Sequence, residues 1–144
     1  AGSGSIAIEW LRAEESGRAI AVERDPVRAA RIERNAAALG VPTLRVVTGP
    51  APAALAGLEP PSTIFVGGGV SAEGVLPACW SALGGGGRLV ANAVTVRGEA
   101  LLASWYERHG GSLTRIQVQR AAPVGRFNGW RPALPVTQWV VDKP

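Results

Sequence analysis

Glycines 2 and 4 of Ala1-Gly2-Ser3-Gly4-Ser5 run without a break into the apolar-periodic stretch Ile6 to Ala13. After Gly17-Arg18 the chain continues as Ala19-Ile20-Ala21-Val22-Glu23, and this combination constrains the fold more than any other feature. Glycines let a backbone turn tightly and approach a ligand, a helix start presents free N–H groups, and a strand that closes on a carboxylate supplies an acceptor. Together they form the front half of a nucleotide-cofactor site. Glu23 stands 19 residues after Gly4, close to the roughly 20 at which an acid reaches ribose hydroxyls. Gly-Ser-Gly-Ser is also linker composition, but a linker has no reason to be in register with Glu23.

The following residues repeat a strand-then-helix rhythm. The spacing predicts a helix from Ser5, its N-cap, to about Glu15, with Ile6, Trp10 and Ala13 on one face. Residues 19–23 form a strand buried on both faces. Asp25 caps a helix with Pro26 at its first position, apolar at Val27, Ala30, Ile32 and Leu39, and stopped by Gly40. A strand Leu44 to Val47, a short helix through about Leu58, and a strand Thr63 to Val66 ending in Gly67-Gly68-Gly69 come next. Ser71 caps a helix to Leu83, Arg88 to Val94 is a strand, and residues 97–109 are a helix. Two strands then follow in succession, Leu113 to Arg120 and, past a loop Ala122 to Leu134, Pro135 to Val141. The expected fold is α/β, with a mostly parallel sheet, helices on both faces and a C-terminal antiparallel hairpin. Residues 1–144 read as one domain. A glycine turn of the opening kind follows a strand, and none precedes Ala1. The expectation is therefore that the first strand is missing and the chain is the downstream part of a longer one, fused to an upstream domain.

Charge narrows the partner. Residues 1–96 carry eight Arg and eight Asp or Glu, whereas residues 97–144 carry six Arg and Lys143 against Glu99, Glu107 and Asp142, so the whole net charge of +4 lies in the last third. With almost no Lys and no dense basic run, nucleic acid is not expected; Arg forks suit carboxylates held in fixed geometry. One His and one Cys cannot build a zinc cluster. His109 at a helix C-terminus is given no catalytic part, and Cys79 reads as a buried structural thiol of a reducing cytoplasm. No run of about 18 apolar residues exists to cross a membrane.

Gly2-x-Gly4-x-x-Ala7 alone fits both NAD and S-adenosylmethionine. The small neutral loops Gly49-Pro50 and Gly67-Gly68-Gly69, the terminal hairpin and the absence of a second domain in these residues resemble the Rossmann-like class I S-adenosylmethionine-dependent methyltransferases. Ile64-Phe65-Val66-Gly67-Gly68-Gly69-Val70, Gly87-Arg88-Leu89-Val90-Ala91-Asn92-Ala93-Val94-Thr95 and Gly129-Trp130-Arg131-Pro132-Ala133-Leu134-Pro135-Val136-Thr137-Gln138-Trp139 narrow the likeness. Along the whole chain it is similar to the C-terminal domain of the decarboxylating precorrin-6Y C(5,15)-methyltransferases of cobalamin biosynthesis.

That resemblance implies methyl transfer from S-adenosylmethionine to carbon 15 of a precorrin, loss of carbon dioxide from the ring C acetate, and a homotetramer. It places Gly2, Gly4, Glu23, Ala51 and Gly67 at the cofactor and Asn92 near the transferred methyl. Gly68, Gly69, Arg120, Arg126, Trp130 and Arg131 fall at the substrate. A tetrapyrrole-binding module without turnover and an NAD-dependent oxidoreductase are the alternatives.

Overall fold

In the structure, a computed structural model that describes residues 1–14 and 16–144, the chain divides into two units. One comprises Ala1–Pro60 with Pro77–Cys79, the other Pro61–Leu76 with Trp80–Pro144.

In the first unit, α1 (Ser5–Ala13) starts at Gly4, which adopts φ +84°, and no serine side chain caps it. The expected end at Glu15 lies outside the described residues. Its buried face is Ile8 and Leu11, whereas Ile6 and Trp10 are about 40% exposed. The expected face is thus displaced around the helix, because Gly4 is the contact that sets the rotation. A Cβ there would lie 2.7 Å from Ile32 Cγ2, and Ile8 and Leu11 follow Gly4 at helical spacing. Strand β1 (Ile20–Glu23) alternates half-buried and buried positions. Helix α2 (Pro26–Ala38) begins as its sequence indicates: Asp25 Oδ1 accepts from the N–H groups of Val27 (2.8 Å) and Arg28 (3.2 Å). It buries Ala29, Ile32 and Ala36, leaving Val27 and Leu39 exposed; the small alanines are what permit close packing. Strand β2 (Arg45–Thr48) pairs parallel with β1, Ile20 opposite Arg45 and Glu23 opposite Thr48. The core is Ile8, Leu11, Ala21, Ile32, Ala36, Val41 and Leu44, each large side chain contributing about 1.5–3 kcal/mol by its burial. Among the described residues, β1 has a strand partner on one edge only. The segment after β2 is a single 3-10 turn, Ala53–Leu55, not a helix to Leu58. Pro50, Pro52 and Gly57 crowd it too closely for a longer one.

The second unit is built on a mixed sheet ordered β3-β4-β8-β5, where β3 is Thr63–Val66, β4 Arg88–Ala93, β5 Ser112–Ile116 and β8 Val136–Asp142. β3 and β4 run parallel; β8 is antiparallel to both β4 and β5. Helix α3 (Val75–Ala82) starts four residues after the expected Ser71 cap, since Gly74 is a poor helix residue. Helix α4 (Val96–His109) is capped by Thr95, whose Oγ1 accepts from Gly98 N–H at 3.2 Å. Trp139, fully buried on β8, lies with Trp80, Trp105 and His109 in one aromatic cluster and donates from Nε1 to the Gly110 carbonyl at 2.9 Å. Lys143 Nζ donates to the carbonyls of Trp80 (2.8 Å) and Leu83 (2.6 Å), capping the end of α3.

The expected hairpin is present as the β5–β8 pair, but the residues between them are not a loop. They form an antiparallel two-stranded ribbon, β6 (Gln119–Val124) and β7 (Phe127–Pro132), in a sheet of its own. Gly125, at φ +60°, opens a two-residue turn with Arg126; glycine at the first central position supplies the backbone twist such hairpins need.

Candidate functional site

On the first unit, the glycine loop and Glu23 meet as their spacing indicates. Gly4 N–H donates to the Ala1 carbonyl at 3.1 Å, closing the loop. Glu23 Oε2 accepts from Gly2 N–H at 2.8 Å, and Oε1 accepts from Asp25 N–H at 3.1 Å. The side chain is buried. Burial opposes its ionisation, and the Gly2 and Asp25 N–H groups act the other way and favour the carboxylate. The carboxylate therefore clamps the loop's own backbone. Asn35, which the sequence did not single out, ties the same loop to α2 through Nδ2 to the Ser3 carbonyl at 3.0 Å. The loop after β2 joins them, Gly49 N–H donating to the Glu23 carbonyl at 2.9 Å. Ala51, half-buried, follows it and precedes Pro52 through a cis peptide bond.

On the second unit, Gly67, Gly68 and Gly69 leave β3 as an exposed loop. A Cβ at Gly67 would lie 2.7 Å from the Phe65 ring, while Gly68 and Gly69 face open space. Asn92 sits half-buried on β4, opposite Gln138 of β8, and its Oδ1 accepts from Gln138 Nε2 at 3.0 Å. The amide N–H₂ of Asn92 is thereby aimed by a residue 46 positions away, which no local pattern marks.

Arg120, Arg126, Trp130 and Arg131 all lie on the exposed ribbon, and the register separates them. Arg120 is directly opposite Arg131, Ala121 opposite Trp130, Ala122 opposite Gly129 and Val124 opposite Phe127. Directly opposed residues share a face and adjacent ones do not. The two arginines therefore share a face with Ala122, Gly129, Val124 and Phe127, and Trp130 projects from the other. Arg126 is in the turn.

Three further places carry less. A groove of about 290 Å³ lined by Glu99, Ala103, Leu113, Thr114, Arg115 and Thr137 holds none of the expected residues, and two of its lining residues, Arg115 and Glu99, form an ion pair. His109 is packed against Trp80 and Trp105 at ring-centroid distances of 4.4 and 5.0 Å. Burial pushes the Cys79 thiol up, which makes it unreactive. Among the described residues, no group of three or more His, Cys, Asp or Glu is placed to hold a metal, and no helix is long and apolar enough to cross a membrane.

Comparison with known proteins identifies the family. Residues 1–143 match the family model described as the precorrin methyltransferase domain. A curated protein from Sinorhizobium sp named precorrin-6Y C(5,15)-methyltransferase (decarboxylating) is 59% identical over 138 residues, which is 96% of this chain and 33% of that protein. The chain thus spans about a third of the length of the curated relatives it matches. The crystal structure of the C-terminal domain of precorrin-6Y C5,15-methyltransferase from Rhodobacter capsulatus superposes with a TM-score of 0.91 at 43% identity, covering 99% of this chain and 76% of that one. At the level of fold alone, a SAM-dependent O-methyltransferase from Thermotoga maritima superposes with a TM-score of 0.67 at 16% identity, over 99% of this chain and 57% of that one. The fold is the Rossmann-like methyltransferase fold, and the chain belongs to the precorrin methyltransferase domain family.

Proposed function

We propose that residues 1–144 act as one S-adenosylmethionine-dependent domain that methylates carbon 15 of a precorrin and releases carbon dioxide from its ring C acetate. The observation that carries this reading is the 59% identity to a protein named for that methylation and decarboxylation. The residues present fit the cofactor. A Cβ at Gly2 would meet nothing within 4 Å, so the backbone there is open to a ligand. Glu23 is ionised at neutral pH and has one donor on Oε1, where a carboxylate oxygen accepts two.

When bound, S-adenosylmethionine supplies a methyl group already activated on a sulfonium. The protein's part is then positioning, because a correctly aligned pair of reactants needs no strong base. On the first unit, Gly2, Gly4, Glu23 and Ala51 would hold the nucleoside and methionine ends, with Glu23 keeping the loop closed. On the second, Gly67 is the cofactor contact, Gly68 and Gly69 admit the macrocycle, and Asn92, aimed by Gln138, orients the carbon that accepts the methyl. Arg120, Arg126 and Arg131 meet the carboxylates.

The family resemblance also supports homotetramer assembly in the cytoplasm. Two thirds of each curated relative lies outside the matched stretch, which supports an upstream fused domain. Calorimetry with S-adenosylhomocysteine is expected to give micromolar binding to the protein; none at millimolar concentration would refute the cofactor assignment.

A further inference from the structure

The ribbon presents a charge problem that its own chain does not solve. From Arg108 to Val141 the sequence contains no Asp or Glu. Arg115 within this stretch is paired with Glu99, but among the described residues none of Arg120, Arg126 and Arg131 lies within 4 Å of a carboxylate. Arg120 and Arg131 are direct cross-strand partners, so their Cβ atoms stand about 4.5–5.5 Å apart, a separation at which like charges destabilise a strand pair. An anion held between them turns that repulsion into attraction.

The same face has a shape. Between the arginines and the tip lies Ala122 opposite Gly129, a floor of small residues over which Val124 leans, since a Cβ at Gly129 would stand only 3.0 Å from Val124 Cγ2. At the tip, Phe127 is 79% and Val124 57% exposed. Arg131 lies four positions beyond Phe127, a distance of about 13 Å along the strand, comparable with the breadth of a tetrapyrrole macrocycle. A cationic fork, a flat floor and an aromatic edge in that order suit a flat, polycarboxylated ligand.

We infer that this ribbon face, Arg120 and Arg131 with Ala122, Gly129 and Phe127, docks the polycarboxylated macrocycle, with Phe127 and not Trp130 as the aromatic contact. The inference rests on the function proposed above. It extends it by assigning the substrate a specific face and by removing Trp130, which projects from the opposite face. A second copy of the chain is the competing occupant. Two-fold packing of this face on itself would set the same arginines against each other, with no acid from either ribbon to separate them.

The test uses the chain with uroporphyrin I, a flat tetrapyrrole octacarboxylate, and its octamethyl ester as probes, titrated by absorbance and tryptophan quenching. The acid is expected to bind, increasingly weakly as salt rises, and the ester is expected not to bind. Combined R120Q and R131Q is expected to weaken binding by about tenfold or more, since bonds to charged groups are the strong ones. Phe127→Ala is expected to weaken it more than Trp130→Ala does. Equal binding of acid and ester, no loss in the arginine variant, or a larger loss with Trp130→Ala would overturn the inference. So would a sedimentation experiment in which the arginine variant changes the association state and leaves porphyrin affinity untouched. Calorimetry with S-adenosylhomocysteine on the same proteins separates the two levels. If the unmodified chain fails to bind it, the proposed function fails. If that binding persists while the ribbon variants keep full porphyrin affinity, only the ribbon inference fails.

Discussion

Replacing Gly4 with alanine is expected to destabilise the protein by two separable routes. Gly4 sits at φ +84°, a region that costs an L-residue with a Cβ about 1–2 kcal/mol. The new Cβ would also lie 2.7 Å from Ile32 Cγ2 and 3.3 Å from Cγ1. Ile32 is fully buried in the first unit's core, so it has no room to step aside, and overpacking of this kind costs about 1–3 kcal/mol. The sum is about 2–5 kcal/mol, read as a lower urea midpoint at unchanged slope. Ile32→Ala alone costs about 2–5 kcal/mol through the cavity it leaves. In the double variant the steric part of the Gly4→Ala penalty disappears while the backbone part stays. The cycle should therefore show a favourable coupling of about 1–3 kcal/mol. Strict additivity would refute the contact between the loop and α2, and a Gly4→Ala variant as stable as the parent would refute both routes.

Glu23 makes stability depend on acid. The Gly2 and Asp25 N–H groups hold its folded carboxyl below the ordinary 4.5, so the stabilisation is present above about pH 4.5 and is lost as pH falls below it. Denaturation across that range should show the loss, Glu23→Gln should be less stable at neutral pH and nearly flat across the same window, and a parallel profile for the two proteins would contradict the clamp. Trp139→Phe, which forfeits the bond to the Gly110 carbonyl, is expected to lose about 1–3 kcal/mol. Trp139→Ala is expected to lose about 3–5 kcal/mol, both by urea denaturation, and a Trp139→Phe variant as stable as the parent would show that the bond contributes nothing.

Features that act within a few residues were readable before any coordinates. Asp25-Pro26 starts a helix and Gly40 stops it because capping is local, and the strand runs at Ile20, Thr63 and Arg88 declare themselves by composition. The inward face of α1 differs from the one its spacing indicates because it depends on Gly4 packing against Ile32, a contact across 28 positions. The ribbon escaped notice because Ala121-Ala122-Pro123 and Asn128-Gly129 show no apolar alternation; pairing, not pattern, defines it. In the site, the spacing from Gly4 to Glu23 correctly brought loop and acid together, but spacing does not reveal that the acid binds the loop's own N–H groups. Gln138 stayed hidden because its partner Asn92 is chosen by strand register.

The sheet order β3-β4-β8-β5 has a bearing on how the second unit comes into being. The strand made after all the others occupies an interior place, between two made earlier. Until residues 136–142 have been synthesised, β5 has no partner in its sheet and β4 is paired only with β3. Pairings across such a sequence distance slow folding, and waiting strand edges invite other chains. A growing chain of this kind therefore spends the translation of its ribbon with a half-built sheet open at the very edge where Asn92 will be set, and the last strand to arrive brings with it the Gln138 that aims it.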